Sequence, residues 1–137
     1  MFKLSSELTF PWPVKVIEPD PVKAGTFAEY EFQVTFAIIA PDKAKASAEA
    51  RNAIIARSTP ESTLDELKAI QAELELHDSK ALEDVVRGWK DIVGEDDKPL
   101  PFTPENLATV SQHARVRAAL IRAYQEAISE DKARLGN

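Results

Sequence analysis

The sequence contains no cysteine, only four glycines and no long apolar run. Without a thiol, the chain can form neither a disulfide nor a thiolate metal site. The glycines are scattered, so they cannot build the glycine-rich loop that cradles a phosphate group. No stretch approaches the roughly 18 consecutive apolar residues that a membrane-spanning helix needs. The N-terminus lacks the apolar core of a signal peptide, so we expect neither a membrane segment nor export from the cytoplasm.

Groups suited to catalysis are also few. The only histidines, His77 and His113, fall at or beside polar helix ends in the sequence pattern. His77 and Asp78 are adjacent, and adjacent residues on a helix do not face each other, so they do not pair as a base and its orienting group. No serine lies in a nucleophile-elbow context. We predict that the protein is not an enzyme and has no catalytic residue and no cofactor.

One acidic cluster, Asp91 with the run 95–97, is the only candidate for binding a hard cation. A calcium loop places oxygen ligands at alternating positions around a central glycine. Here Gly94 precedes the three consecutive acids, and Lys98 and Pro99 follow them directly. This arrangement favours a solvated loop between helices, and we expect no metal site.

The charge balance is acidic, with 23 acidic and 17 basic residues and a formal net charge of −6. Nucleic-acid binding depends on lysine and arginine side chains that neutralise phosphates. The densest basic run is His113–Arg117, with Arg122 further along the chain, and the solvated face of a helix explains it. We therefore expect no nucleic-acid partner.

Length and composition fit one globular domain. The chain has 137 residues, of which 44% are hydrophobic and 29% are charged, close to the average of soluble domains. Residues 1–40 carry seven of the ten aromatic side chains and show strand patterns, whereas residues 41–137 show helix patterns. We predict one α+β domain, 1–137, in which an N-terminal antiparallel β-hairpin or ribbon is followed by a C-terminal bundle of four to five α-helices.

The clearest strand is Ala28–Ile38, where aromatic and β-branched residues alternate with polar ones. Val14–Ile17 alternates as well and is its simplest antiparallel partner. A two-stranded hairpin alone is only marginally stable in water. The ribbon must therefore lie on the helices or on a second copy of itself, and its uncovered edge is a candidate for self-association.

The helical part begins with Asp42–Arg57, which is alanine-rich and should bury little surface. Thr59 followed by Pro60 matches a helix cap with proline in the first helical position, so the second helix should start there. Its apolar spacing allows two interpretations. The helix either turns at His77–Ser79 or runs straight on to Val93.

The best-specified helix start lies at Thr103, which can cap the helix, with Pro104 in the first helical position. Phe102 is placed to pack on Leu107, and this helix should end within residues 111–113. The last helix should follow from Ala114 to Leu135, before Gly136.

The amphipathic helices from Leu82 to Leu135 have apolar stripes suited to packing on protein, most simply the domain's own core. Five aromatic residues are candidates for contact with a partner or a second copy: Trp12, Tyr30, Phe32, Phe36 and Trp89. Trp12 lies between two prolines on an extended segment, and the next three lie on the ribbon. Trp89 continues a helical apolar stripe, so a core position is its first interpretation and partner contact its second.

The C-terminal segment carries motifs in a characteristic order: Gly88-Trp89, a short acidic loop, the helix start Pro101-Phe102-Thr103-Pro104-Glu105-Asn106-Leu107, and a final helix with Ala123-Tyr124. In this order and spacing, Val86–Asn137 resembles the tail assembly chaperones of long, non-contractile-tailed bacteriophages. The opening Phe2-Lys3-Leu4 and the alternating strand are also similar. Asp42–Lys80 matches only as helix, and its first part, Asp42–Ala56, is less apolar than the family pattern.

The resemblance implies a non-enzymatic protein of phage or prophage origin. Such a protein binds the long, largely helical tape measure protein, keeps it soluble and helps to recruit the tail tube protein. The resemblance also implies a homo-oligomer that works in the host bacterial cytoplasm and is absent from the mature virion. Trp89, Phe102, Leu107 and Tyr124 match the family pattern as determinants of the fold, and no catalytic residue is carried over.

Two other functions stay open at this point. A structural tail completion or connector subunit would remain in the virion, where mass spectrometry of purified particles would detect it. A small enzyme or regulatory domain with an unrecognised site would have to use His77 and His113, and replacing both with alanine would test it.

Overall fold

The computed structural model of the protein describes residues 1, 2, 4 and 7–129. Its elements are β1 (Thr9–Pro19), β2 (Phe27–Ala37), α1 (Pro41–Ala56), α2 (Leu64–Val85), β3 (Val86–Lys90), α3 (Pro104–Ser111) and α4 (Ala114–Ile128). The strands form one antiparallel sheet in the order β1-β2-β3. This architecture confirms the α+β class, with an N-terminal hairpin followed by helices. The last helix is expected to run to Leu135, but it ends at Ile128, and Ser129 has an extended backbone, so that prediction is wrong at Ser129. The predicted stop at Gly136 lies outside the described residues.

β1 and β2 form the predicted hairpin, and β1 is longer than the predicted segment Val14–Ile17. The two strands pair along their whole length, from Thr9 opposite Ala37 to Pro19 opposite Phe27. Successive side chains of a strand point to opposite faces of the sheet. The face that carries Val14, Val16, Phe32, Val34 and Phe36 is buried beneath the helices.

Three prolines explain why the outer edge of β1 pairs with no further strand among the described residues. Pro11, Pro13 and Pro19 occupy alternating positions of the strand. Proline has no N–H, so it fits only positions whose backbone points away from the neighbouring strand. Lys15 and Ile17 belong to the same alternation, so between Pro11 and Pro19 they hold the only N–H groups on this edge.

Two arginines of α4 bind the carbonyl groups of that edge. Arg122 Nη2 donates to the carbonyl oxygen of Lys15 at 3.1 Å, and Arg115 Nη1 donates to that of Ile17 at 2.8 Å. The edge therefore offers few hydrogen-bonding groups to another strand, which disfavours self-association through β1.

The prediction of one helix running on to Val93 is correct through His77–Ser79 and wrong beyond Val85. There α2 ends, and residues 86–90 pair antiparallel with β2. The adjacent β-branched residues Val85 and Val86 favour an extended backbone over a helix, and the open side of β2 supplies hydrogen-bonding partners for it.

A β-bulge explains why this strand resembled a helix in the sequence. Val86 lies opposite Phe36 and Trp89 lies opposite Val34, and the register shifts between these two pairs. A bulge adds one residue to one strand. Val86 and Trp89, three residues apart, can therefore both face the core, although a regular strand would place them on opposite faces.

β2 is consequently the central strand, and the predicted uncovered edge of Ala28–Ile38 is wrong where β3 pairs. β3 covers Gln33–Phe36. Among the described residues, residues 27–32 of β2 pair with β1 and with no other strand. Glu29 and Glu31 lie in this stretch, and two copies pairing there would bring like charges together.

Thr63 caps α2, so the predicted helix start at Thr59 is wrong. Thr63 Oγ1 accepts a hydrogen bond from Glu66 N at 3.2 Å. Thr59 and Pro60 instead open a turn, in which Ser62 N donates to Thr59 O at 3.1 Å and Thr59 N donates to Ser62 Oγ at 2.9 Å. Proline suits the second position of a turn as well as the first position of a helix, so the sequence pair fits both structures.

Thr103 caps α3 as predicted. Its Oγ1 accepts a hydrogen bond from Asn106 N at 3.0 Å, and Pro104 is the first helical residue. Phe102 makes an edge-to-face contact with Trp89, with ring centroids 4.9 Å apart. Its predicted contact with Leu107, which is buried, stays a prediction.

The core lies between the inner face of the sheet and the helices α2, α3 and α4. Its buried residues are Val14, Val16, Phe32, Val34, Phe36, Leu82, Val85, Val86, Leu107, Ala119, Leu120 and Ala123. α4 packs along β1, and only the C-terminal end of α2 contributes to this cluster. α1 has no buried residue, which confirms the light burial expected of Asp42–Arg57.

Candidate partner-binding surface

The helical hairpin of α1 and α2, residues 41–85, is built differently from the rest of the molecule. α1 packs on α2, and contacts from Ser47–His77 to Arg57–Glu73 show that the two helices are antiparallel. α1 has six alanines among its sixteen residues and buries none of them. Alanine removes little apolar area from water, so hydrophobic burial contributes little to holding α1 in place.

Polar contacts join the two helices instead. Arg51 Nε donates to Asp78 Oδ1 at 2.9 Å, and Arg51 Nη2 donates to Asp78 Oδ2 at 3.3 Å, which makes a two-pronged ion pair. The hydrogen bond to Asp78 raises the pKa of the Arg51 guanidinium above its usual value. Arg57 forms a second ion pair with Glu73 near the end of α1.

His77 lies in the same contact surface and is poorly bonded. Its Nε2 lies 3.4 Å from Ser47 Oγ. Its buried Nδ1 lies 3.6 Å from Asp78 Oδ1, and the described residues supply it with no hydrogen bond. A buried polar atom without a hydrogen bond is destabilising, so this part of the contact between α1 and α2 is not optimised.

Four large apolar side chains of the hairpin are exposed: Ile55, Leu64, Leu67 and Leu76. Leu64 and Leu76 are the most open, with 66% and 65% of their surface accessible. Leu64 and Leu67 lie one turn apart on α2, so they are neighbours and together form an apolar tip of the hairpin. Grouped exposed apolar side chains mark surfaces that bind other molecules.

The two helices carry opposite charge. α2 has seven acidic residues, Asp65, Glu66, Glu73, Glu75, Asp78, Glu83 and Asp84, against Lys68 and Lys80. α1 with the following Arg57 has four basic residues, Lys43, Lys45, Arg51 and Arg57, against Asp42 and Glu49. A second helix that binds α2 would therefore be favoured by a basic charge.

A groove of about 370 Å³ lies between this hairpin and α4. Arg51, Asp78 and Arg117 are among its lining residues. Arg117 donates to the carbonyl oxygen of Ser111 at 2.9 Å and lies 3.7 Å from Glu75. These arginines are engaged in contacts within the chain, so the groove is a polar seam between helices rather than an open anion site.

Two of the predicted contact residues keep accessible surface. Trp12 is half-buried, makes an edge-to-face contact with Phe10, and lines a second groove of about 330 Å³ between β1 and α4. Tyr30 is 47% exposed on β2. Partner contact at these two aromatic side chains stays a prediction.

Phe32 and Phe36 are buried in the core. The folded chain does not offer them to a partner, so their prediction as contact residues is corrected by the structure. Their face of β2 is the one the helices cover. The Phe36 ring packs on Tyr124 with centroids 5.5 Å apart, and Ile39 N donates to the Tyr124 hydroxyl at 3.4 Å.

Trp89 is half-buried and holds a loop in place. Its Nε1 donates to the carbonyl oxygen of Leu100 at 2.8 Å, and its ring contacts Phe102. The side chain also packs against the core cluster. Trp89 thus fastens the loop 91–101 to β3, and contact with a partner at this residue stays a prediction.

The acidic cluster lies in that loop and follows its turns. Asp91 and Asp97 have positive φ angles of 67° and 59°, and Asp96 Oδ1 accepts a hydrogen bond from Lys98 N at 3.1 Å. Among residues 1, 2, 4 and 7–129, no three histidine or acidic side chains come together in a way that could hold a metal ion. His77 faces α1, whereas the second histidine, His113, precedes α4.

The hairpin of α1 and α2 is not among the surfaces that the sequence predicts, although the sequence carries a signal for it. Asp42–Ala56 combines many alanines with no wide apolar stripe. Leu76 falls outside the spacing of Leu64, Leu67 and Leu74, which places it on another side of α2. This surface is indicated by an alanine-rich helix without an apolar stripe next to an acidic helix that carries one leucine outside its apolar face.

Within the described part of the chain, no helix combines the length and the apolar character that crossing a bilayer requires. No protein-family model, curated protein or solved structure matches this chain.

Proposed function

We propose that this protein is a tail assembly chaperone of a long-tailed bacteriophage or prophage, which binds the tape measure protein and assists tail tube assembly. The observation that carries the proposal is the acidic, lightly packed hairpin of residues 41–85 with its exposed apolar side chains. The resemblance of Val86–Asn137 to such chaperones supports it independently of the hairpin.

The hairpin can bind a helix of the tape measure protein through apolar and charged contacts. A tape measure protein is long and largely helical, and an amphipathic helix binds by laying its apolar side on apolar side chains of a partner. Fully burying one leucine or isoleucine side chain contributes ~1.5–3 kcal/mol before the costs of association are subtracted. The apolar tip at Leu64 and Leu67 and the acidic surface of α2 together suit a helix that is apolar on one side and basic beside it.

The rest of the proposal follows from the same family likeness. The protein acts in the host cytoplasm as a homo-oligomer, recruits the tail tube protein as a second partner, and is released before the virion matures. It performs no chemistry and uses no cofactor. Trp12 and Tyr30 are the proposed positions for contact between copies, because both keep accessible surface on the sheet.

Co-expression with the tape measure protein encoded beside this gene tests the proposal. We expect the two proteins to co-purify and the tape measure protein to become more soluble. Leu64→Asp combined with Leu67→Asp should abolish co-purification. Val22→Asp is the matched control, because Val22 is also an exposed apolar residue but lies on the turn between β1 and β2.

Two results would contradict the proposal. One is failure of the wild-type chain to co-purify with the tape measure protein or to improve its solubility. The other is stoichiometric amounts of the chain in purified virions by mass spectrometry, which would instead identify a structural tail subunit.

A further inference from the structure

α1 is held on α2 by contacts that are individually weak. Ion pairs at a protein surface change an equilibrium by about fivefold or less. Among the described residues, α1 and the following Arg57 form ion pairs through Arg51 and Arg57, each partly exposed. A further polar contact, between Ser47 and His77, is long at 3.4 Å. No side chain of α1 is buried and only Ile54 among its large apolar residues is half-buried, so α1 contributes little apolar surface of its own to the contact.

The alanines of α1 and its first residue, Pro41, favour a helix, but little else holds it in place. The N-cap residue Ala40 provides no side-chain cap, and no basic residue lies in the last turn to interact with the helix dipole. Helical stability in proteins comes mostly from packing of an apolar face, and α1 lacks such a face. We therefore expect α1 to separate from its neighbour more easily than α2, α3 and α4, which each bury side chains.

Unlike α1, the side of α2 that α1 covers carries buried apolar residues. Ile70 is buried and Leu74 is half-buried, and both lie within one or two turns of His77 on the side of α2 that faces α1. Ile70 does not belong to the main core cluster, which fits a residue covered within the hairpin. Glu73 and Asp78 flank this side and bind the two arginines of α1.

We propose that α1 is a displaceable internal occupant of a helix-binding face on α2, and that a partner helix of the same chemistry takes its place. The face consists of Ile70 and Leu74 with Glu73 and Asp78 beside them. Charge complementarity defines the occupant as a basic helix, rich in small and aliphatic residues, with two cations placed like Arg51 and Arg57. Identifying that partner with the tape measure protein rests on the proposed function, whereas the face itself does not.

A peptide in place of the natural partner tests the inference directly. The probe is a fluorescent synthetic peptide of residues 41–58, and its binding to the full chain is measured by anisotropy. The apparent affinity of a face that is mostly occupied is reduced by the fraction of open molecules. Arg51→Ala with Arg57→Ala in the protein loosens α1 and leaves α2 unchanged, so we expect the peptide to bind this variant ~3- to 20-fold more tightly than wild type.

Two controls match this experiment. Arg87→Ala removes an ion pair of similar exposure, with Glu7, away from the hairpin and should leave peptide binding unchanged. A peptide in which the residues corresponding to Arg51 and Arg57 are glutamate should bind at least about tenfold more weakly, since it meets Glu73 and Asp78 with like charge.

Locking α1 provides the converse test. The chain has no cysteine, so Ser47→Cys with His77→Cys introduces the only two thiols, at positions whose wild-type side chains lie 3.4 Å apart. Joining them with a short bismaleimide should weaken peptide binding at least about tenfold relative to the same variant before cross-linking. Far-ultraviolet circular dichroism of both forms establishes that the fold is retained.

The outcomes separate this inference from the proposed function. Equal peptide binding by the locked and unlocked forms, or by wild type and the Arg51→Ala/Arg57→Ala variant, would overturn the displacement of α1. Neither assay contains the tape measure protein. Peptide binding without capture of the tape measure protein would leave the displacement of α1 standing and refute the proposed function. Capture of the tape measure protein that does not change when α1 is locked would support the proposed function and refute the tape measure protein as the helix that displaces α1.

Discussion

Two helices of this small protein are attached in different ways: α4 to the sheet, and α1 to α2. α4 buries Ala119, Leu120 and Ala123 against the sheet and binds the edge of β1 through two arginines. α1 buries no side chain and is held by ion pairs. Burial of apolar area contributes far more to stability than exposed ion pairs do. The molecule therefore divides into a stable body, which is the sheet with α3, α4 and the C-terminal end of α2, and a lightly held arm, which is α1 with the rest of α2.

The same division would let one chain be stable and also bind the proposed partner. A binding surface needs apolar side chains that remain in contact with water until the partner arrives, and a body that stays folded meanwhile. On β1, three prolines and two arginines disfavour pairing of that edge with another strand. The arm carries exposed apolar side chains of this kind at Leu64, Leu67 and Leu76.

Replacing one large apolar residue in each region, buried Leu120 and exposed Ile55, should give the largest contrast. Leu120 is 1% exposed, and Leu120→Ala should lower the free energy of unfolding by ~2–5 kcal/mol, because it leaves a cavity between α4 and the sheet. Ile55→Ala on α1 should lower it by less than ~1 kcal/mol. Urea unfolding followed by circular dichroism measures both values. Similar losses at the two positions would show that the arm is as well packed as the body.

Trp89→Phe should give the next largest effect. The phenyl ring retains the contact with Phe102, but the carbonyl oxygen of Leu100 loses its donor. Loss of such a part-buried hydrogen bond should lower the free energy of unfolding by ~1–2 kcal/mol, and limited proteolysis should cut the loop 91–101 more readily. Trp12→Phe is the control, because Trp12 is packed on the sheet without a comparable loop to hold. An equal response of the two tryptophans would argue against the fastening role of Trp89.

The two threonine caps provide a smaller and sharper test. Thr103→Ala removes the cap of α3, a helix whose Leu107 is part of the core, and should lower the free energy of global unfolding by ~1 kcal/mol. Thr63→Ala removes the cap of α2 at the tip of the arm. We expect it to change global unfolding less, and to speed hydrogen exchange mainly in the first turn of α2. A global loss as large as that of Thr103→Ala would show that the tip unfolds together with the body.

Strand alternation and capping patterns made much of the fold predictable. The alternation in Ala28–Ile38 identified β2, and Thr103 followed by Pro104 identified the start of α3. These signals are local, because each depends only on the residue types of a few neighbouring positions in the sequence. The wrong helix start at Thr59 has the same cause, because threonine followed by proline fits the beginning of a turn as well as the beginning of a helix.

β3 was not predictable from local patterns. The spacing of Val86 and Trp89 fits a helix, and only the bulge against β2 makes it fit a strand. Pairing with a strand about fifty residues earlier decides the structure of this segment, and no local pattern reports such a partner. The candidate surface was hidden for a related reason, because whether Leu64 or Leu67 is covered depends on where α1 lies. The prediction of Phe32 and Phe36 as contact residues fails because aromatic residues are typical of both protein cores and interfaces, so the residue type alone does not separate the two.

The smallest predicted effect concerns pH and compares a turn of the body with the ion pair of the arm. Asp20 Oδ1 accepts hydrogen bonds from Val22 N at 2.8 Å and Lys23 N at 3.1 Å, and these bonds lower the pKa of Asp20. A group whose pKa is lower in the folded chain stabilises it above the unfolded value, about 3.9 for aspartate, and loses that effect as the pH falls through the folded value. For Arg51 the sign is opposite, because its raised pKa keeps the contribution intact at every pH below the ordinary arginine value.

We therefore expect acid to loosen the Asp20 turn and alkali up to pH 10 to leave the Arg51 ion pair intact. Amide chemical shifts of Val22 and Lys23 should titrate below pH 4 in the wild-type chain and should show no such titration in Asp20→Asn. A midpoint at or above the ordinary aspartate value would show that the carboxylate does not organise this turn. Raising the salt concentration from 0.05 to 0.5 M should instead speed hydrogen exchange in α1 and spare the turn, because salt screens the exposed ion pairs of the arm. If salt and acid act on the two regions alike, the body and the arm are not held by different forces.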